Sequence, residues 1–114
     1  MSVQKNIRIR CWVEADGEKY FGPGPYQLLK QIEQEGSLSK AAEAIHISYR
    51  KAWDLIKKLN ENAAQTIVIL HKGGEKGGGA EITETGIKLI ENYEALQKDL
   101  ENTLLKHQSI LEQL

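Results

Sequence analysis

Residues 36–60, GSLSKAAEAIHISYRKAWDLIKKLN, hold two helical patterns separated by almost nothing. Ser37 or Ser39 can cap the first. In it Leu38, Ala41, Ala42 and Ile45 recur at helical spacing, and the two alanines are small enough for a crossing helix to approach closely. His46-Ile47-Ser48 leaves room only for a tight turn. His46 falls just past the helix end, where positive φ is common, Ile47 points inward, and Ser48 caps the next helix. That second helix runs from about Tyr49 to Glu61 on a core stripe of Ala52, Ile56 and Leu59. Tyr49, Arg50, Lys51, Asp54, Lys57 and Lys58 are left outside or at the flanks. Such a pair either reads DNA or carries a solvated basic face, and the surrounding sequence has to decide.

Upstream, Ile7, Ile9, Cys11 and Val13 alternate with Arg8, Arg10, Trp12 and Glu14, the period of a half-buried strand. Asp16-Gly17 suits a tight turn, so a second strand around Lys19 to Phe21 closes a hairpin. Pro25 opens a helix with an apolar stripe of Leu28, Leu29 and Ile32, ending at Gly36. Downstream, QTIVILHK, the glycine-dense GGEKGGG and AEIT read as strand, oversized turn, strand. Thr83 then caps a final helix with Glu84 at its positive end, and this helix has no Pro or Gly after Gly86.

The chain of 114 residues fits one compact unit, divided here into residues 1–83 and a helical segment 84–114. Its 40 % apolar and 27 % charged content is that of a soluble globular protein, with no run of the roughly 20 apolar residues that cross a bilayer. The N-terminus MSVQKNIRIR lacks the apolar stretch of a secretory signal. Cys11 is the lone cysteine and reads as a buried thiol, so a reducing cytoplasm is the expected location and no membrane is a partner. The net charge of −1 conceals a basic middle, where Arg50, Lys51, Lys57 and Lys58 outnumber Asp54, and an acidic tail.

Helix, short helix, tight turn, basic helix and hairpin together spell a winged helix-turn-helix. The fold class is mainly α with small β, with an N-terminal β-hairpin and a long C-terminal dimerisation helix. In this motif the basic helix enters the major groove and the hairpin tip reaches the neighbouring backbone. Ser48, Tyr49, Arg50 and Lys51, at the start of that helix, are the candidates nearest the bases. Lys57 and Lys58, two turns later, and Ser39 and Lys40, before the turn, are candidates for phosphate. In the wing, Lys72 and Lys76 can neutralise phosphates while Gly77, Gly78 and Gly79 let the backbone come close.

Other chemistries find little footing. A Walker loop needs Lys followed by Ser or Thr at the mouth of a helix, whereas Lys76 is followed by Gly77 and the chain re-enters a strand. His46, His71 and His107 pair with no Cys or carboxylate at ligand spacing, so no metal or other cofactor is expected. No nucleophile with a neighbouring base stands out, and the chain is not expected to be an enzyme. Trp53 borders the core stripe and the outer face at once. Core is the commoner fate of an indole, and the spacing leaves both open. A winged-helix dimer serving protein interaction without DNA is the rival from another class, which a net charge of −1 favours slightly.

ISYRKAWD, together with the glycine-rich wing joined to ITETG, resembles the N-terminal DNA-binding domain of the molybdate-responsive ModE regulators. The likeness spans roughly residues 24–100 and extends more loosely to the winged helix of LysR-type regulators. It implies a homodimeric transcription regulator in which Ser48 to Lys51 and the Lys76 to Gly79 wing meet double-stranded operator DNA. Two departures stand out: the turn carries His46 where the family often has glycine, and Leu114 is reached without the molybdate-binding domains, so no molybdate is expected as a partner. In alternating steps of three and four, the final helix offers Tyr93, Leu96, Leu100, Leu104, His107, Leu111 and Leu114 as a seam for the same helix of a second copy.

Overall fold

The computed structural model describes residues 3–72 and 79–114. Asp16 and Gly17 both take left-handed φ, 51° and 81°, and close the first hairpin between β1 (Val13–Ala15) and β2 (Glu18–Phe21). The strands run antiparallel with Glu14 opposite Lys19. The strand expected from Ile7 is therefore much shorter than its alternation suggested. β2 ends at Phe21 and the chain turns into a helix at Pro23, so residues before Val13 have no strand left to pair with. The Trp12 ring instead covers Gly22 where any side chain would stand. Ile7, Ile9 and Cys11 border a cleft with Leu100 and Leu104 of the last helix, and Cys11 is half-buried, not the buried thiol expected.

α1 (Pro23–Glu35) starts two residues before Pro25 and ends where Gly36, at φ 65°, returns its amide to the Ile32 carbonyl at 2.8 Å. α2 (Leu38–Ala44) is capped by Ser37, whose Oγ accepts the Lys40 amide at 3.2 Å, which resolves the choice between Ser37 and Ser39. α3 (Tyr49–Asn62) buries Ala52, Ile56 and Leu59, as the stripe predicts. β3 (Val68–Leu70) and β4 (Ala80–Ile82) form the second antiparallel hairpin, with Ile69 opposite Glu81. The Ala80 amide bonds the Gly36 carbonyl at 2.9 Å, tying this hairpin to the end of α1.

α4 (Glu84–Lys106) begins at Thr83, whose Oγ accepts the Gly86 amide at 3.1 Å and donates to the Thr66 carbonyl at 2.7 Å. Gly86 is required for close approach: a Cβ there would lie 2.7 Å from both the Ile67 carbonyl oxygen and an Ile82 methyl. The helix does not run unbroken to Leu114. After Lys106 it tightens into a 3-10 helix, Gln108–Gln113, as helix ends do when their last carbonyls lack i+4 donors.

One core unites these elements, with Phe21, Leu28, Leu29, Ile32, Ile56 and Ile90 at its centre. Full burial of each such side chain is worth about 1.5–3 kcal/mol. The order is that of a winged helix-turn-helix, mainly helical with two small hairpins and a long C-terminal helix. The radius of gyration of 17.2 Å exceeds the about 13 Å of a compact domain this size, and the distal half of α4 extends with the N-terminal segment beside it. Among the described residues no helix is long and apolar enough to cross a membrane.

Candidate nucleic-acid interface

The turn between α2 and α3 is built as its sequence predicts. His46 sits at φ 59°, the Ile47 amide reaches back to the Ala42 carbonyl at 3.0 Å, and the Ser48 Oγ accepts the Lys51 amide at 3.0 Å. Ile47 packs half-buried against the core. These contacts fix the angle at which α3 leaves α2 and put the first turn of α3 outermost. Tyr49, Arg50 and Lys51 are all exposed there, with the Arg50 side chain at 84 %. Its guanidinium Nε lies 3.5 Å from Asp54, an exposed i,i+4 pair that orients the fork at little energetic cost to release.

Farther along α3 the basic residues diverge. Lys57 lies on the outer face, 4.0 Å from Glu61 and 5.4 Å from the centre of the Trp53 ring. Lys58 meets Glu18 of the first hairpin at 3.4 Å in an exposed ion pair. Ser39 and Lys40 are exposed on α2. In the wing, the His71 amide bonds the Gly79 carbonyl at 2.8 Å, and Lys72 is exposed beside it. The expected contacts Lys76, Gly77 and Gly78 lie outside the described residues.

An open depression of about 390 Å³ joins these parts. Leu38 and Ser39, Tyr49 and Trp53, and Leu70, His71, Lys72 and Gly79 line it, so α2, α3 and the wing share one surface. Two residues that the spacing did not single out, Asn60 and His71, matter here, and so does Trp53, whose place it left open. Asn60 clamps the wing: its Oδ1 accepts the Ile67 amide at 2.9 Å and its Nδ2 donates to the Val68 carbonyl at 3.0 Å. Trp53 stands 37 % exposed and not in the core. His71 faces Glu81 at 3.4 Å. An Asn near a helix end just before a β-branched run was the available sign of the first. Among the described residues no cluster of three or more His, Cys, Asp or Glu could hold a metal.

The seam of α4 needs correction at four of its seven positions. Tyr93 is buried in its own domain, with its hydroxyl donating to the Cys11 carbonyl at 2.9 Å and its ring edge-on to Phe21 at 5.0 Å. Core packing has taken the side chain that periodicity alone assigned to a partner. His107 is the cap where α geometry ends, so His107, Leu111 and Leu114 do not continue the helical stripe. Leu100 and Leu104 are half-buried beside the N-terminal segment, and Leu96, 41 % exposed, is the open apolar position between them and the core.

Residues 26–87 match the family described as bacterial regulatory helix-turn-helix protein, lysR family. The chain is 37 % identical over 78 residues to the molybdenum transport protein ModE of Azotobacter vinelandii, covering 68 % of this chain and 29 % of that one. It is 40 % identical over 74 residues to the DNA-binding transcriptional dual regulator ModE of Escherichia coli K12, covering 65 % and 28 %. The chain thus spans less than a third of the length of these two relatives. In fold it is similar to full-length LysG of Corynebacterium glutamicum, with a TM-score of 0.57 and 21 % identity over 82 % of this chain and 30 % of that one. It is equally similar to MepR of S. aureus in a DNA complex, with a TM-score of 0.57 and 18 % identity over 75 % and 63 %. Fold, turn, wing and sequence agree: the chain belongs to the bacterial regulatory helix-turn-helix proteins of the lysR family, and its domain is ModE-like.

Proposed function

We propose that this chain binds double-stranded DNA as a homodimer and regulates transcription from an inverted-repeat operator, in the cytoplasm and without catalysing a reaction. The observation that carries the reading is the shared surface of α2, α3 and the wing, with Arg50 and Lys51 exposed in the first turn of α3. An α-helix fits the major groove, and side chains in its first turn reach base edges while flanking cations meet phosphate. Arg50 and Lys51, with Tyr49 and Ser48 beside them, face the bases. Ser39, Lys40, Lys57, Lys72 and Gly79 face the backbone, and Lys76, Gly77 and Gly78 remain phosphate candidates by sequence alone.

The dimer rests on α4. Its distal half leaves the core, and Leu96, with Leu100 and Leu104 beside it, offers an apolar stripe that one copy covers only in part. A two-fold pairing of such helices puts two recognition helices on one face of DNA, with half-sites a helical turn or a small multiple apart. Selection from a pool of random duplexes tests the whole reading. It should enrich one sequence with internal two-fold symmetry, and a pool that shows no enrichment over rounds would refute it.

A further inference from the structure

We infer that Trp53, with Tyr49, reads the C5-methyl group of a thymine in the major groove, next to the base pair met by Arg50. The inference rests on the DNA reading above and adds to it a named base and a residue that specifies it.

The core of α3 is complete without Trp53. Ala52, Ile56 and Leu59 are buried, while the indole, the largest side chain of the helix, keeps 37 % of its surface in water. Tyr49, one turn earlier, keeps 56 %. Residues four apart on a helix lie on the same face, and both rings line the same depression, making an apolar shelf along that side of α3. Among the described residues these are the two exposed aromatic side chains, and both belong to the helix that the fold aims at DNA. Two partly exposed rings on one helix face make an apolar patch that a partner surface can cover.

The shelf has a shape and a neighbour. Tyr49, Arg50 and Trp53 border one shallow, solvent-open depression. Arg50, held by Asp54 at 3.5 Å, supplies the donors on one side of it. Lys57 Nζ, 5.4 Å from the indole centre, leaves a cation next to the ring where the backbone would pass.

The chemistry of the groove edge selects thymine. The two rings present chiefly apolar faces, with the indole N–H and the Tyr49 hydroxyl only at their edges, so their main contact is with an apolar group. Thymine alone presents a methyl group in the major groove, and apolar contact is the way that group is read.

The test removes the methyl and nothing else. In the duplex enriched from the random pool, each thymine is replaced singly by deoxyuridine, and binding is followed by fluorescence polarisation. One position per half-site should weaken the wild-type protein by about fourfold, the weight of one buried carbon. The W53A variant should bind the thymine and uracil duplexes equally. Y49A, at a position that contributes nothing to the core, should lose most of the same discrimination and serves if W53A does not fold. A wild-type protein indifferent to every uracil, or a uracil penalty that persists undiminished in both variants, would overturn the inference while leaving DNA binding intact. Failure of the pool to enrich any duplex would overturn both.

Discussion

Asn60 holds Val68 by both sides of its peptide: the Asn60 Nδ2 donates to the Val68 carbonyl at 3.0 Å, and the Asn60 Oδ1 accepts the Val68 amide at 3.2 Å. The same Oδ1 accepts the Ile67 amide, so one side chain fixes the start of the wing strand to α3. Replacing Asn60 by Ala strands these half-buried groups and should cost about 1–3 kcal/mol. Chemical denaturation checks the loss. N60D keeps the acceptor and loses the donor, and it should fall between N60A and wild type.

Tyr26 of α1 donates to the Glu94 carboxylate of α4, and Lys30 lies 3.5 Å from the same carboxylate. The Tyr26 bond, with Lys30 assisting, holds the Glu94 carboxyl below its ordinary range. Burial and then Glu94 push the Tyr26 hydroxyl up to about 12. A lowered carboxyl gives stability above its unfolded pKa that is lost as pH falls through the folded one, whereas a raised phenol gives stability below pH 10 that is lost between 10 and about 12. Melting temperatures should therefore drop at both ends of the pH scale. Y26F should flatten the alkaline slope and weaken the acid one, and an unchanged profile would detach α1 from α4.

Arg50 and Lys72 should fail in different ways. R50A is expected to cost about 1–3 kcal/mol on the selected duplex and little on random DNA, because base contacts carry the discrimination. K72A should weaken both alike and lower the salt slope by about one. Polarisation titrations on the two duplexes separate these outcomes, and equal losses for R50A on both would end its role as a base reader.

The two faces of α4 should also differ. Leu96 lies on the open apolar stripe and Leu105, 66 % exposed, lies outside it. L96D should give a monomer by sedimentation that keeps the wild-type far-UV spectrum but melts at a lower temperature, whereas L105D should remain dimeric. A wild-type protein that sediments as a monomer at tens of micromolar would remove the dimer and with it the expected operator symmetry.

The helix-turn-helix was legible because each of its parts is local. Ser48 caps, His46 takes positive φ, and Ala52, Ile56 and Leu59 recur at one spacing, all within a few residues of chain. What was not legible depends on distant partners. The alternation from Ile7 looked like a strand, but β2 ends too early to pair with it. Tyr93 looked like part of the seam, but Phe21 and Tyr26 close around it from the other end of the chain. The ion pair of Lys58 with Glu18 of the first hairpin is likewise set by a segment distant in sequence. Periodicity states which face is apolar and is silent on what covers it.

Salt-dependent competition between the selected duplex and a scrambled duplex of equal length tests the central claim most directly. If α3 and the wing form a DNA-reading surface, the selected duplex should bind at least about a thousandfold more tightly. Both affinities should fall steeply with salt, on a logarithmic slope set by the phosphates neutralised. Equal affinities for the two duplexes, or binding that salt leaves unchanged, would contradict the account.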